Sequence, residues 1–464
     1  MDFSEIKELL SRYLLDASSG ESVLASATAD SREVTRGALF CAIRGAVTDG
    51  NRFVDKALAA GASAILSDNP SLICDVPVLH IRPGTGYQAV ARVAEAFAGY
   101  PARKLRLVGI TGTCGKTTTA FLTREILRNA GVNTGMVGTV VYDVGAGHEL
   151  PADRTTPTPF LLQSLFRQMV DNRVDTVVME CSSAALDQER TGNARFATAA
   201  FTNFSRDHLD YHKTMEAYLA AKRKLFFQCL AENATAVVNL DDIAGAKLAR
   251  ELSGKCPVFG FSLKNAPAPW ATPLPGTFNQ YNATCAGLLA KSLGVPEKII
   301  KETLAKTIGA PGRLQRFDCP NGATAFVDYA HTPEEITCAL DALRPECPGR
   351  LGILFGCGGD RDRGKRPMMA AAAAAADFIW LTSDNPRTED PLAIIADTKV
   401  GLPDSCLLHV EPDRRKAILS AVSDCHPGDW LLVAGKGHED YQEINHVKIP
   451  GSDWDVLQTL KNAQ

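Results

Sequence analysis

The stretch KLRLVGITGTCGKTTTAFLTREILRNAG, residues 104–131, decides the fold of this chain. It reads as an apolar strand, a glycine-bearing turn and an amphipathic helix that ends at Gly131. A strand that passes through such a turn into a helix presents backbone N–H groups at a helix N-terminus, where phosphate oxygens bind. In that setting Lys116 neutralises β- and γ-phosphates and Thr117 offers its hydroxyl to Mg²⁺, with Gly112, Thr113, Gly115 and Thr118 completing the cradle for ATP. The match to the general phosphate-loop pattern is imperfect, because Ile110 stands where the first glycine belongs. The alternative is a Gly-rich strand–helix turn with no ligand.

Outward from this stretch the strand–helix alternation continues. TVVME (176–180), ATAAFTNF (197–204) and TAVVNL (235–240) read as strands with helices between them, which argues for a mostly parallel α/β sheet. Upstream, ALFCAI (38–43) and ASAILS (62–67) read as strands around a helix at 54–62, and Pro101 after the helical AVARVAEAFAGY marks a linker. Downstream of Arg313, TAFVDY (324–329), LGILFG (351–356), DFIWLTS (377–383) and WLLVAG (430–435) form a third set. The seven-alanine run 370–376 reads as a buried helix.

A chain of 464 residues is too long for one ordinary core, and roughly three domains is the expectation. We place them at 1–100, at 101–312, which carries the phosphate loop for ATP, and at 313–464. Resemblance to a known family, through the motifs quoted next, implies a uridine-nucleotide-binding domain for the first and a Rossmann-like amino-acid-binding domain for the last. The net charge of −4 gives no reason to expect a nucleic acid or an anionic membrane as partner. MDFSEIKELLSRYLL is an amphipathic helix start without the basic and apolar regions of a signal peptide, and no apolar run reaches membrane-spanning length. Thirteen scattered cysteines without C-x-x-C spacing read as reduced thiols of a cytoplasmic protein, expected to be a monomer.

The form T-G-T-x-G-K-T resembles the Mur ligases and the folylpolyglutamate synthetases, with Cys114 at the position where Asn is common in those families. Further segments point the same way, in family order. DSREVTRGALFCAIRGAVTDG (30–50) is similar to the family's uridine-binding signature. RTTPTP (154–159), MECSSAALDQERTGNARF (179–196) and FTNFSRDHLDYHKTMEAYLAAKRKLF (201–226) resemble its substrate- and metal-binding segments. FNQYN, DYAHTP, FGCGGDRDRGKRP, SDNPRTED and VAGKGHEDYQ follow. The ordered set resembles the Mur ligases that add the third residue of the peptide.

The resemblance implies an ATP-dependent ligase that adds meso-diaminopimelate to UDP-N-acetylmuramoyl-L-Ala-D-Glu through an acyl phosphate. By the same resemblance Glu180 and His208 would hold Mg²⁺, and Lys222 would join them once N-carboxylated. Read alone, Glu180 is a strand-end carboxylate, His208 a solvent-facing loop histidine and Lys222 one of three basic residues on a solvated helix face. Thr155, Thr156, Ser182, Gln188 and Arg190 would bind the muramoyl-dipeptide of the UDP-linked substrate, and Ser31 would lie near its uracil. Asn279, Arg313 and Asp328 would close over the nucleotide, with Tyr329 and His331 nearby.

Asp384-Asn385-Pro386-Arg387 looks like the D-N-P-R motif of the diaminopimelate-adding members, and Arg361, Gly435 and Glu439 would complete that pocket. A guanidinium suits the substrate's second carboxylate, although N-P also marks an ordinary turn. The chain departs from the family at Ala184, where His is usual, at Val47, and in a shortened stretch between Phe261 and Phe278 that implies a reduced second sheet. The rival readings are a lysine-adding paralogue, a folylpolyglutamate synthetase-like ligase, and a regulatory ATP-binding module without ligase activity. Arg387 argues against the first, the N-terminal domain against the second and the distal motifs against the third.

Overall fold

The computed structural model describes residues 1–18, 22–46 and 48–461, so Val47 lies outside the described residues. The chain divides into two compact units, Met1–Pro267 with Thr284–Ile300, and Ala268–Ala283 with Lys301–Gln464.

The first unit carries two sheets. The N-terminal one has five strands in the order Leu14–Ala17, Val78–Ile81, Ala62–Ser67, Ala38–Ala42, Ser26–Thr28, parallel except for the first. Both of its faces are buried, with Leu39, Cys41 and Leu66 in one apolar cluster and Ala38, Phe40 and Ile65 in another. Strands covered on both sides carry unbroken apolar runs, which makes ALFCAI and ASAILS legible. Of the N-terminal MDFSEIKELLSRYLL only Phe3–Leu9 is helical, and Leu14 already opens a strand.

The second sheet has eight strands in the order Val258–Phe261, Leu230–Asn239, Phe196–Phe201, Arg106–Thr111, Thr176–Glu180, Thr134–Val137, Val141–Asp143, Glu149–Pro151. The first six are parallel and the last two antiparallel. Arg106–Thr111 lies among them with every residue after Arg106 buried. Its carboxyl end therefore opens at the edge where doubly wound sheets bind ligands. Residues 262–276 hold neither helix nor strand, and a separate second sheet for this region is absent among the described residues.

The second unit has a six-stranded sheet in the order Gln315–Asp318, Thr324–Asp328, Trp430–Ala434, Leu351–Phe355, Phe378–Leu381, Leu408–Val410, parallel except for the first. A small antiparallel hairpin, Tyr441–Ile444 with Val447–Pro450, follows it. The polyalanine run corrects the sequence reading. Its helix, Lys365–Ala373, stops within the run, and only Ala370 and Ala373 are buried. Alanine's helix propensity is offset there by the turn that feeds the strand at Phe378. The α/β class, with a central phosphate-loop sheet and a Rossmann-like C-terminal sheet, is as the sequence implies.

Candidate active site

The turn after Thr111 is built for close approach. Gly112 has φ +152° and Gly115 φ +82°, and a Cβ on Gly112 would collide with the Thr202 hydroxyl. Gly115 caps the helix Lys116–Asn129. Asn203 braces the loop, its carbonyl accepting from Thr113 N at 2.9 Å and its Oδ1 from Cys114 N at 2.9 Å. Lys116 folds back across the turn, its Nζ donating to Gly112 O at 3.0 Å and Thr113 O at 2.8 Å.

Glu180 ends the neighbouring strand, in register with Ile110, and is fully buried. Its Oε2 accepts from Thr117 Oγ1 at 2.9 Å and from Thr139 Oγ1 at 3.1 Å, and its Oε1 from Thr139 N at 2.8 Å. Gly138 makes room for this carboxylate, because a Cβ there would strike Oε1. The Thr139 hydroxyl also lies 3.0 Å from the Thr155 hydroxyl. Thr156 Oγ1 donates to Glu180 O at 2.8 Å and accepts from Ser182 N at 3.0 Å. Arg190 donates to Thr156 O at 2.7 Å and, through Nε and Nη2, to Gln188 Oε1 at 3.0 and 2.9 Å. The phosphate loop, Glu180 and the 154–190 segment thus form one hydrogen-bonded network.

Lys222 joins this network from the helix Met215–Phe227. It is buried to 1% exposure, which removes the solvated-face reading. Its Nζ donates to Gly112 O at 2.6 Å and stands 4.4 Å from the centre of the Tyr218 ring. Burial, with the Lys116 charge nearby, pulls its ammonium well below the usual lysine range. Tyr218 is itself buried, bonds the Thr113 hydroxyl at 3.2 Å, and has its phenol pushed up to about 12 by burial. His208 stays exposed in a left-handed turn at φ +52°, with Asp207 Oδ2 3.5 Å from its Nε2. His212 is buried against Ser183 at 2.9 Å, and burial lowers its pKa. Ala184 is half-buried in the short helix Ser183–Asp187. Ser31 is buried in the loop after the strand Ser26–Thr28.

The donors at the phosphate loop suit a hard cation. A threonine hydroxyl and a buried carboxylate converge there, and oxygen ligands completed by phosphate and water are what Mg²⁺ takes. No group of three or more His, Cys, Asp or Glu side chains that could hold a metal occurs among the described residues. A protein-only cage is therefore not what these residues form.

In the second unit the candidate residues gather at the carboxyl ends of the sheet. Asp328, in register with Ala434, accepts from Leu314 N at 2.7 Å and Ala330 N at 2.8 Å, and its carbonyl takes Gly435 N at 3.1 Å. The Arg313 guanidinium lies 4.9 Å from the Tyr329 ring, which also packs on His331 and His438. Burial beside Arg313 lowers His438 to about 4. Asn279, in the first turn of the helix Thr277–Ser292, is buried, and its Nδ2 donates to Pro275 O at 2.8 Å.

Asn385 Nδ2 donates to Glu439 Oε2 at 3.0 Å, and the buried Lys436 donates to the same oxygen at 2.9 Å. A Cβ on Gly435 would come 2.7 Å from Asp384 Oδ2, so this approach needs glycine. Arg387, at φ +51°, bonds Glu443 Oε2 at 3.1 Å and Gly359 O at 2.7 Å. Arg361 is exposed on the adjacent loop.

Sequence reasoning passed over Thr139, Tyr218, Lys436 and Glu443. Thr139 and Glu443 carry no pattern of their own, since their partners are distant in the chain. Lys436 had a signal, because it sits inside the quoted G-K-G-H-E segment.

Three family models match the chain: Mur ligase family, catalytic domain, over residues 25–100; Mur ligase middle domain, over 110–272; and Mur ligase, glutamate ligase domain, over 312–437. The chain is 41% identical to the UDP-N-acetylmuramoyl-L-alanyl-D-glutamate--2,6-diaminopimelate ligase of Parasynechococcus marenigrum, over 97% of each chain. It is 40% identical to the ligase of the same name from Bacillus licheniformis, over 94% of this chain and 93% of that one. A solved structure of a ligase of that name matches with a TM-score of 0.68 at 31% identity, covering 100% of this chain and 99% of the other. The MurF ligase from Thermotoga maritima in complex with ADP shares the fold, with a TM-score of 0.60 at 18% identity over 95% of this chain and 99% of that one.

Proposed function

The chain belongs to the Mur ligase family, and on that premise we propose that it joins meso-2,6-diaminopimelate to UDP-N-acetylmuramoyl-L-alanyl-D-glutamate. It is an ATP-dependent, amide-forming ligase of peptidoglycan precursor synthesis. The observation that carries the reading is the continuous contact Thr117–Glu180–Thr139–Thr155, which joins a phosphate loop to the segment read as holding the acceptor. The reading places the catalytic and binding roles on the residues named from the sequence, and domain boundaries at residues 100 and 312.

The chemistry follows from what a carboxylate lacks. It is a poor electrophile, and its leaving group would be oxide. Its oxygen therefore attacks the γ-phosphorus of ATP, the bond to the β-phosphate oxygen breaks, and ADP leaves. The amine then adds to the acyl phosphate, and the tetrahedral intermediate expels phosphate with loss of a proton. Lys116 and the loop N–H groups stabilise charge on the transferring phosphoryl group. Thr155, Thr156 and Arg190 hold the acceptor in line. Thr117 and Glu180 would hold Mg²⁺, with His208 and carboxylated Lys222 as further ligands; the ion supplies charge neutralisation on the phosphates.

Lys222 fits carboxylation because its burial favours the uncharged amine, the form that attacks carbon dioxide with loss of one proton. Carbon NMR with labelled bicarbonate is expected to show one carbamate in wild-type protein and none in Lys222→Ala. An unmodified Lys222 in active enzyme would contradict this role.

Thr139→Val deletes the hydroxyl between Glu180 and Thr155 but keeps the backbone N–H to Glu180 Oε1. Losing it is expected to lower kcat/KM for the sugar-nucleotide by up to about tenfold, the scale of one hydrogen bond. Wild-type kinetics in the variant would show the contact to be idle.

No helix among the described residues is long and apolar enough to cross a membrane. We propose that the protein acts in the cytoplasm, where ATP is supplied, as a monomer. The function is tested by mass spectrometry of the product. Purified protein with ATP, Mg²⁺, sugar-nucleotide dipeptide and diaminopimelate should yield the two substrates joined with loss of one water, and recovery of the unjoined substrates would refute the reading.

A further inference from the structure

The Tyr441–Ile444 strand is stitched onto the loop that carries Arg387. Arg387 N donates to Glu443 O at 3.0 Å, Asn445 N donates to Arg387 O at 2.8 Å, and Glu443 N donates to Asn385 Oδ1 at 2.8 Å. This pairing brings the Glu443 carboxylate to the guanidinium, with Oε2 3.1 Å from Nε. The opposite side of the guanidinium is also engaged, since Nη1 donates to Gly359 O at 2.7 Å. A Cβ on Gly358 would come within 3.1 Å of Nη1, so a glycine there leaves the arginine its slot. The two side chains are 19% and 25% exposed, so the pair is largely shielded from water.

We propose that Glu443 is an internal stand-in for the distal carboxylate of the incoming amino acid, held on Arg387 until the substrate displaces it. The inference rests on the reading that Arg387 meets that carboxylate. A guanidinium binds a carboxylate best through two parallel N–H bonds along one edge. Glu443 takes the Nε edge and the Gly359 carbonyl takes Nη1, so an arriving carboxylate must displace Glu443 or lie beside a like charge. Either course weakens diaminopimelate binding. Lysine brings no distal carboxylate, leaves the Arg387–Glu443 pair intact and offers its side-chain ammonium to Glu443. Glu443 thus sets both the affinity of the pocket and the margin between the two amino acids. A purely supporting Glu443 would act in the opposite sense, because removing it would loosen Arg387 and weaken diaminopimelate binding.

Glu443→Gln and Glu443→Ala separate these cases, with thermal unfolding used to verify that each variant folds. Both are expected to lower the KM for diaminopimelate about two- to fivefold, the scale of one partly exposed ion pair. Both should also weaken lysine as a competitor of diaminopimelate. An unchanged or raised KM for diaminopimelate in both variants, with wild-type protein turning over normally, would overturn this inference alone. Wild-type protein that releases no ADP in response to diaminopimelate would overturn the underlying reading and this inference with it.

Discussion

Lys116→Ala is expected to cut ADP release by about 10²- to 10³-fold or more, the loss typical of removing one charge-stabilising group from a transition state. Its ammonium spans the phosphate loop, bonded to Gly112 O and Thr113 O, so it is positioned where the β- and γ-phosphates of a P-loop ligand lie. Alanine removes both the positive charge and the brace on the loop. Lys116→Met keeps the aliphatic stem and separates these effects: methionine should be nearly as inactive if charge dominates. Sugar-nucleotide binding, placed on Thr155, Thr156 and Arg190, should survive in both variants. Near-normal ADP release by either would remove the loop from the mechanism.

Arg387→Ala is expected to raise the KM for diaminopimelate about ten- to a hundredfold, as loss of a charge-assisted contact of ~1.5–3 kcal/mol implies. Binding of ATP and sugar-nucleotide should be unaffected. The two amino acids differ at the far end by one carboxylate, so the group that meets it decides between them. Sites that leave a buried charge unpaired with the wrong substrate discriminate by ~10⁴-fold or more. Here Glu443 keeps Arg387 paired when lysine is present, so the discrimination should fall below that level. The variant should narrow the gap to lysine without becoming an efficient lysine enzyme, because Glu439 remains fixed by Lys436 and Asn385. Steady-state kinetics with both amino acids check this, and an undiminished preference for diaminopimelate would reduce Arg387 to a turn residue.

The phosphate loop was legible because its chemistry is local: strand, glycine turn, lysine and threonine lie within a dozen consecutive residues. The strands on either side were legible for a related reason, since sheets buried on both faces write themselves as apolar runs. Helix ends were less so. The polyalanine run carries no punctuation, and the turn that stops its helix at Ala373 is imposed by the strand that follows. Contacts between distant segments left no trace in the sequence. Thr139 acts on a carboxylate 41 positions away, and Glu443 reaches an arginine 56 positions away through the register of a short hairpin. Lys222 shows the same limit, because one helix face with three basic residues looks solvated until burial singles out one of them.

The most direct test of the central claim is ADP release by purified protein offered ATP, Mg²⁺, UDP-N-acetylmuramoyl-L-Ala-D-Glu and a panel of amino acids. A ligase that forms an acyl phosphate on the dipeptide and resolves it with diaminopimelate should release ADP steadily only when both are present, with lysine well behind. Steady release without the sugar-nucleotide, or release indifferent to the amino acid supplied, would contradict it.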